Sequence, residues 1–355
     1  MTAGTVPDVH QDHSPSGGSD FARLTRELTA AGLLGRRRGH YTVRMSINVM
    51  LLALGVAVFV TLGESWWQLA NAAFLAFVFT QFAFVGHDAG HRQIFRRHAN
   101  NDLVGYTHGA VTGISYRWWV NKHNKHHANP NHEDHDPDIE IPALAFSREQ
   151  ARSKRGPYRW ITRHQAWLFF PLLTVEAVML RLSSLRAIRR REVPRPRLEA
   201  VLQVVPLAGY VTALLIVLSP LQALLFVVVH QALMGVYLGC SFAPNHKGMP
   251  VIEAGERLDH LRKQVLTSRN VSGGRWVDGL LGGLNHQIEH HLYPHMPRPN
   301  LRRAQPIVQS FCERQGIPYS TCGLRASYAE VLRHLHDAGA PLRRADEAVA
   351  RSVTS

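Results

Sequence analysis

The chain is 355 residues long, 45% hydrophobic and 19% charged, enough for one large domain or two ordinary ones. Its formal charge of +14 is spread over Arg-rich loops that membrane topology and anionic headgroups already account for, so it is no nucleic-acid signature. Cys240, Cys312 and Cys322 lie far apart in sequence, which excludes an iron–sulfur cluster and a disulfide framework.

Met1 to about Asp20 is rich in Ser, Gly, Pro, His and Asp without an apolar centre, so it reads as a disordered tail rather than a secretory signal. Phe21–Leu34 alternates apolar and charged residues at helical spacing and predicts an amphipathic helix lying on a membrane. No Lys or Arg then occurs between Arg44 and Arg92, nor between Arg197 and Lys247. Each window accommodates two crossings at roughly 20 residues apiece. Four transmembrane helices follow, at about Met45–Leu62, Trp67–Val85, Ala200–Leu218 and Leu221–Phe242. Both intervening turns, Gly63–Trp67 and Ser219-Pro220, are short and lack positive charge, whereas Arg crowds the flanks. The positive-inside rule therefore puts the termini and the loops in the cytoplasm, and the scarcity of Lys beside Arg suggests a bacterial inner membrane.

Between the hairpins, Leu103–Val120 is too polar to span, and Gln165–Leu180 is apolar but short; both predict interfacial helices. Asn129-Pro130-Asn131 stops any helix there, and the following run with Asp134, Asp136 and Asp138 reads as a solvated acidic loop or else as carboxylates that orient ligand imidazoles. Pro294, Pro297 and Pro299 close a later segment, and an amphipathic helix from about Tyr328 leads into a charged tail. The chain thus divides into a tail (1–20), a membrane domain (21–310) and a C-terminal helix with its tail (311–355). The expected fold is an all-α integral membrane protein, with two helical hairpins, interfacial helices and a cytoplasmic cap.

Three histidine clusters stand out: His87-Asp88-Ala89-Gly90-His91, His123-Asn124-Lys125-His126-His127 and Gln287-Ile288-Glu289-His290-His291. Residues three and four apart share a helix face, so each cluster projects its rings side by side. All three lie on one predicted membrane face, the first directly at the end of a crossing. So many imidazoles without cysteine suggest two metal ions, although imidazole suits Zn, Cu, Fe and Ni alike. Asp88 and Glu289, embedded in the clusters, are candidates to orient ligand rings. His230, within the fourth crossing, serves packing or substrate contact.

These motifs, the stretch Asn285–Pro294 and the two apolar hairpins resemble the membrane-bound fatty acid desaturases, from about Arg38 to Arg303. The resemblance implies a non-haem di-iron centre held by His87, His91, His123, His126, His127, His290 and His291. One further histidine is implied after the fourth crossing, and His246 occupies that place. Gln287 stands where stearoyl-CoA members have His, so it is expected as a weak or water-bridged ligand, with His286 as the alternative. Dioxygen would be the co-substrate and a long acyl chain, linked to CoA or to a lipid, the substrate. The chain has no haem-binding, iron–sulfur or dinucleotide motif, so electrons would come from a separate ferredoxin or reductase. Two alternatives remain open: a hydroxylase of an alkane, sterol or carotenoid built on the same boxes, and a His-rich metal transporter.

Overall fold

The structure is a computed structural model that describes residues 19–253 and 255–344, so the expected tails at both ends fall almost wholly outside the described residues. From the N-terminus come α1 (Asp20–Ala30), α2 (Arg38–Leu62), α3 (Gln68–Gly90), α4 (His98–Thr112) and α5 (Tyr116–Ala128). Next are α6 (Arg148–Ser153), α7 (Gly156–Arg163), α8 (Gln165–Leu173), α9 (Glu176–Arg189), α10 (Pro196–Val217) and α11 (Pro220–His246). The remainder is α12 (His260–Leu266), β1 (Asn270–Ser272), α13 (Gly274–Leu280), α14 (Gln287–Leu292), α15 (Arg298–Arg314), β2 (Thr321–Gly323) and α16 (Leu324–Ala338).

Four helices, α2, α3, α10 and α11, are long and apolar enough to cross a bilayer. They are two inner and two outer: 56% of the apolar window of α3 and 39% of that of α11 is buried, against 17% for α2 and 11% for α10. All four outrun the apolar segments read from sequence at their cap-side ends. At 1.5 Å per residue the 23 residues of α3 and 27 of α11 measure about 35 and 40 Å, beyond a hydrocarbon core of about 30 Å. The residues beyond the apolar segments include His87 on α3 and His246 on α11. Local sequence sets the far ends: Ser219 and Gln222 close a capping box around Pro220 at the start of α11.

Side-chain amides bind backbone between α2 and α3. Asn48 Nδ2 donates to Gln81 O at 3.1 Å and Asn71 Nδ2 to Gly55 O at 3.1 Å, an arrangement suited to a medium with no competing water. His230 Nδ1 lies 3.0 Å from Tyr210 Oη, and its ring meets Phe79 edge-on. The ring thus lies packed between α3, α10 and α11.

Three expectations need correction. The α1 helix does not present its apolar face to a membrane: Leu24 and Leu28 are fully buried with Leu261, Ile288, Leu301 and Val308 in the core of the cap. Gln165–Leu180 is not one interfacial helix but α8 and part of α9, bent by 71° at Thr174-Val175. Taken as one broken segment, the pair would raise the number of candidate spans to five. The carbonyl of Leu173 at that break packs on Gly235, where an added Cβ would stand 2.4 Å from it. Finally, Leu103–Val120 is not one helix: α4 ends at Thr112, Gly113 is left-handed and α5 begins at Tyr116. The architecture is all-α as expected, with one small parallel sheet among the described residues that pairs β1 with β2, Asn270 facing Thr321, and ties the segment before α13 to that before α16.

Candidate metal centre

Four elements deliver the cluster residues. The last turn of α3 and the residue capping it supply His87 and His91; α5 supplies His123, His126 and His127. The final residue of α11 is His246, and α14 supplies Gln287, His290 and His291. Two left-handed glycines make the turn into α14 possible: a Cβ on Gly282 would lie 2.6 Å from Phe84, and one on Gly283 2.4 Å from Arg298. Gly90 serves the first cluster similarly, since a Cβ there would strike the Trp119 ring at 2.7 Å. That indole stacks on His123 with centroids 4.4 Å apart and so forms a wall of the site.

All nine side chains meet below the inner helices, each nine-tenths buried or more. Ligand nitrogens of His87, His91, His123 and His290 lie within 4.8 Å of one another, and so do those of His126, His246 and His291. His127 stands between the two groups: its Nε2 is 3.1 Å from His123 Nε2, and its ring stacks on His291 at 4.1 Å. Gln287 joins the second group, with its amide nitrogen 2.9 Å from His246 Nε2. His286 points elsewhere, its Nε2 3.0 Å from Asp278 Oδ1.

The Nδ1 atoms show why these rings suit a metal. His87 Nδ1 donates to Asp88 Oδ1 at 3.1 Å, and His126 Nδ1 to Asp136 at 3.0 Å. His246 Nδ1 donates to Thr267 O at 3.0 Å and His291 Nδ1 to Gln264 Oε1 at 2.9 Å. Each bond places the ring proton on Nδ1 and leaves a bare lone pair on Nε2. Those lone pairs face one another: His87 and His123 Nε2 are 3.2 Å apart, His126 and His246 Nε2 3.3 Å. The Nε2 atoms of His91, His290 and His291 are buried without any partner. Facing lone pairs repel, and a cation between them removes the repulsion, so the residues fit two metal ions with imidazole ligands.

Protonation agrees. Burial, reinforced by neighbouring imidazoles, pushes His91, His123, His127, His290 and His291 well below the usual imidazole range, leaving them neutral and able to ligate at pH 7.

Asp88 sits where its position within the first cluster suggested. It also forms an ion pair with Arg298 Nη2 at 2.6 Å, which fixes α15 against α3. Glu289 does not follow expectation. Its oxygens accept from Asn270 Nδ2 at 2.8 Å and Tyr319 Oη at 2.6 Å, so it pins α14 to β1 instead of orienting a ring. Asp136 departs in the opposite sense. The supposed solvated loop folds back, bringing Asp136 to zero exposure under His126. Burial opposes its ionisation, but His126 outweighs that and holds the carboxyl below its usual range.

Several residues had no signal in the sequence. Thr267 and Gln264 accept from ligand rings, and nothing in their type announces it. Arg269, fully buried, donates from Nε to Pro244 O at 2.8 Å and also holds Lys247 O and the Glu330 carboxylate, locking the end of α11 that carries His246. A buried Arg beside three acceptors is visible only in three dimensions.

A sequence profile described as "Fatty acid desaturase" matches residues 64–323. The chain is 30% identical over 328 residues to an acyl-lipid (9-3)-desaturase of Physcomitrium patens, covering 90% of this chain and 62% of the relative. It is 29% identical over 366 residues to Delta(8)-fatty-acid desaturase 2 of Arabidopsis thaliana, covering 97% and 80%. A Delta 8-(E)-sphingolipid desaturase of Kluyveromyces lactis is 31% identical over 340 residues, covering 89% and 58%. The chain therefore spans less than two thirds of the length of the moss and yeast relatives. A moss, a flowering plant and a yeast lend no support to a bacterial compartment.

Proposed function

The chain belongs to the fatty acid desaturase family, and from that premise we propose that it is a multi-pass membrane enzyme that desaturates a long acyl chain at a pair of iron ions. The overall reaction takes a –CH2–CH2– unit, dioxygen, two electrons and two protons to –CH=CH– and two waters. The observation that carries this reading is the arrangement of Nε2 lone pairs in two groups bridged by His127.

In this reading His87, His91, His123 and His290 hold one ion, His126, His246 and His291 the other, and His127 stands where either can be reached. Gln287 faces the second ion directly or through water; His286, engaged by Asp278, takes no part. Iron, when bound, supplies the dioxygen chemistry needed to remove hydrogen from an unactivated methylene. The chain's own residues keep His87, His126, His246 and His291 in the ligating tautomer through Asp88, Asp136, Thr267 and Gln264. They also exclude water, since the rings are buried and Trp119 roofs His87 and His123.

The basic flanks favour a cap on the cytoplasmic side. Electrons come from a separate ferredoxin or reductase, and the net charge of +14 favours an acidic one. Expression in a host lacking the activity, followed by mass spectrometry of its lipid chains, tests the proposal. New unsaturation that disappears in His126→Ala supports it. Addition of oxygen in place of the loss of two hydrogens would reassign the chain as a hydroxylase, and an unchanged profile from iron-loaded protein with a working electron donor would refute both.

A further inference from the structure

Beside the first imidazole group lies a cavity of roughly 50 Å³ between the ends of α3, α4 and α5. His87 and Trp119 form its side toward the centre, and Ala83, Gly86, Gly105 and His108 line much of the rest. That is space for a few methylene- or water-sized groups, in direct continuity with a ring assigned to a metal. Among these walls His108 is out of place. It is 94% buried, since only 6% of its surface is exposed, and its ring tilts against Phe82 at 5.0 Å.

The ring's chemistry is fixed by its own helix. Nδ1 lies 2.8 Å from Val104 O, a carbonyl that can only accept, so Nδ1 carries the proton. Nε2 is then a bare acceptor, and it has no partner. Burial lowers the tendency of the ring to take a second proton, so it stays an acceptor at neutral pH. Packing alone does not account for it, because a leucine would fill the same wall without a buried, unsatisfied nitrogen. The site asks for a hydrogen-bond donor within a few carbon–carbon bonds of the atoms that react.

We propose that the lipid accepted here carries a hydroxyl group near its reacting methylenes, and that His108 Nε2 receives the hydrogen bond of that hydroxyl. His108 is thereby a specificity-determining residue. This deepens the desaturase reading and rests on it for the identity of the ligand as an acyl chain. Because a site built around a polar contact penalises a ligand that lacks it, the unsubstituted chain is the poorer ligand.

The test is binding, which needs no turnover. Full-length iron-loaded protein in detergent is titrated with methyl octadecanoate and with methyl hydroxyoctadecanoates whose hydroxyl is moved along the chain; thermal unfolding reports occupancy. At least one hydroxy isomer should bind about tenfold more tightly than the plain ester. His108→Leu should remove that difference, and His108→Gln, whose amide oxygen still accepts, should restore part of it. Equal binding of all esters, as expected if water alone satisfies Nε2, overturns the proposal, as does a preference that survives His108→Leu. Should the leucine variant not fold, His108→Phe against His108→Gln makes the same comparison. Preserved preference without any unsaturated product would count against desaturation and leave the hydroxyl site standing.

Discussion

Asp136→Asn isolates the part played by ring orientation in holding metal. Asp136 uses two oxygens for three neighbours: His126 Nδ1 at 3.0 Å, the Asn131 N–H at 2.7 Å and the Asp138 N–H at 2.8 Å. His126 Nδ1 lies 3.0 Å from both carboxylate oxygens, so the single oxygen of an asparagine still accepts from it whichever way the amide turns, but without the charge, and the NH2 then faces the Asn131 or the Asp138 N–H. A hydrogen bond to a charged group contributes about 1.5–3 kcal/mol. Mutation of such an outer partner typically lowers metal affinity about 10–100-fold, and exchanging a charged for a neutral acceptor, with one backbone donor left facing the NH2, belongs at the lower end. The weakening should fall on the second imidazole group alone, because His87, not His126, is held by Asp88. Dialysis against graded chelator, with iron counted per chain, should therefore show one of two ions leaving early while the other follows the parent curve. Two parallel losses would mean that the substitution simply unfolds the cap. Two unchanged retentions would mean that Asp136 does not tune the site, and either result refutes the reasoning.

Other outcomes follow from the same geometry. His246→Ala should halve the iron per chain, while His286→Ala should leave it unchanged, as read by elemental analysis of purified protein. Arg269→Ala frees the carbonyls of Pro244 and Lys247 and leaves Glu330 unpaired; a thermal midpoint lowered by about 3 kcal/mol equivalent is expected, with iron lost from the His246 group first. Gly235→Ala sets a methyl 2.4 Å from Leu173 O, so the α8–α9 break must shift, at about 1–3 kcal/mol by chemical denaturation. The metal-free protein should also weaken in acid. His91, His123, His127, His290 and His291 have folded-state pKa values below the unfolded value near 6.5, so the unfolded chain binds more protons there. Their stabilisation is complete above that pH and is lost as pH falls through and below it. Midpoints measured across that range, flat for the metal-free chain, would contradict this.

What the sequence could determine was whatever rests on local repetition or on composition. Long apolar stretches without Lys or Arg can only be buried or lipid-facing, so α2, α3, α10 and α11 were legible. Histidines at i, i+3 and i+4 share a face whatever surrounds them, so the three clusters were legible too. The resemblance added His246, which has no such neighbour to mark it. Boundaries were less accessible, because helices such as α3 and α11 run on past the apolar stretch to deliver His87 and His246, and periodicity does not report where hydrocarbon ends. Tertiary structure alone decided the rest. Whether an amphipathic segment such as α1 meets lipid or a protein core depends on which surface reaches it first. A carboxylate's role depends on its partner across space, which is why Asp136 lies under His126 while Glu289 turns away to Asn270 and Tyr319. The tautomers of His246 and His291, and with them the aim of their lone pairs, are set by acceptors as distant in sequence as Thr267 and Gln264, and no pattern along a chain encodes such a meeting.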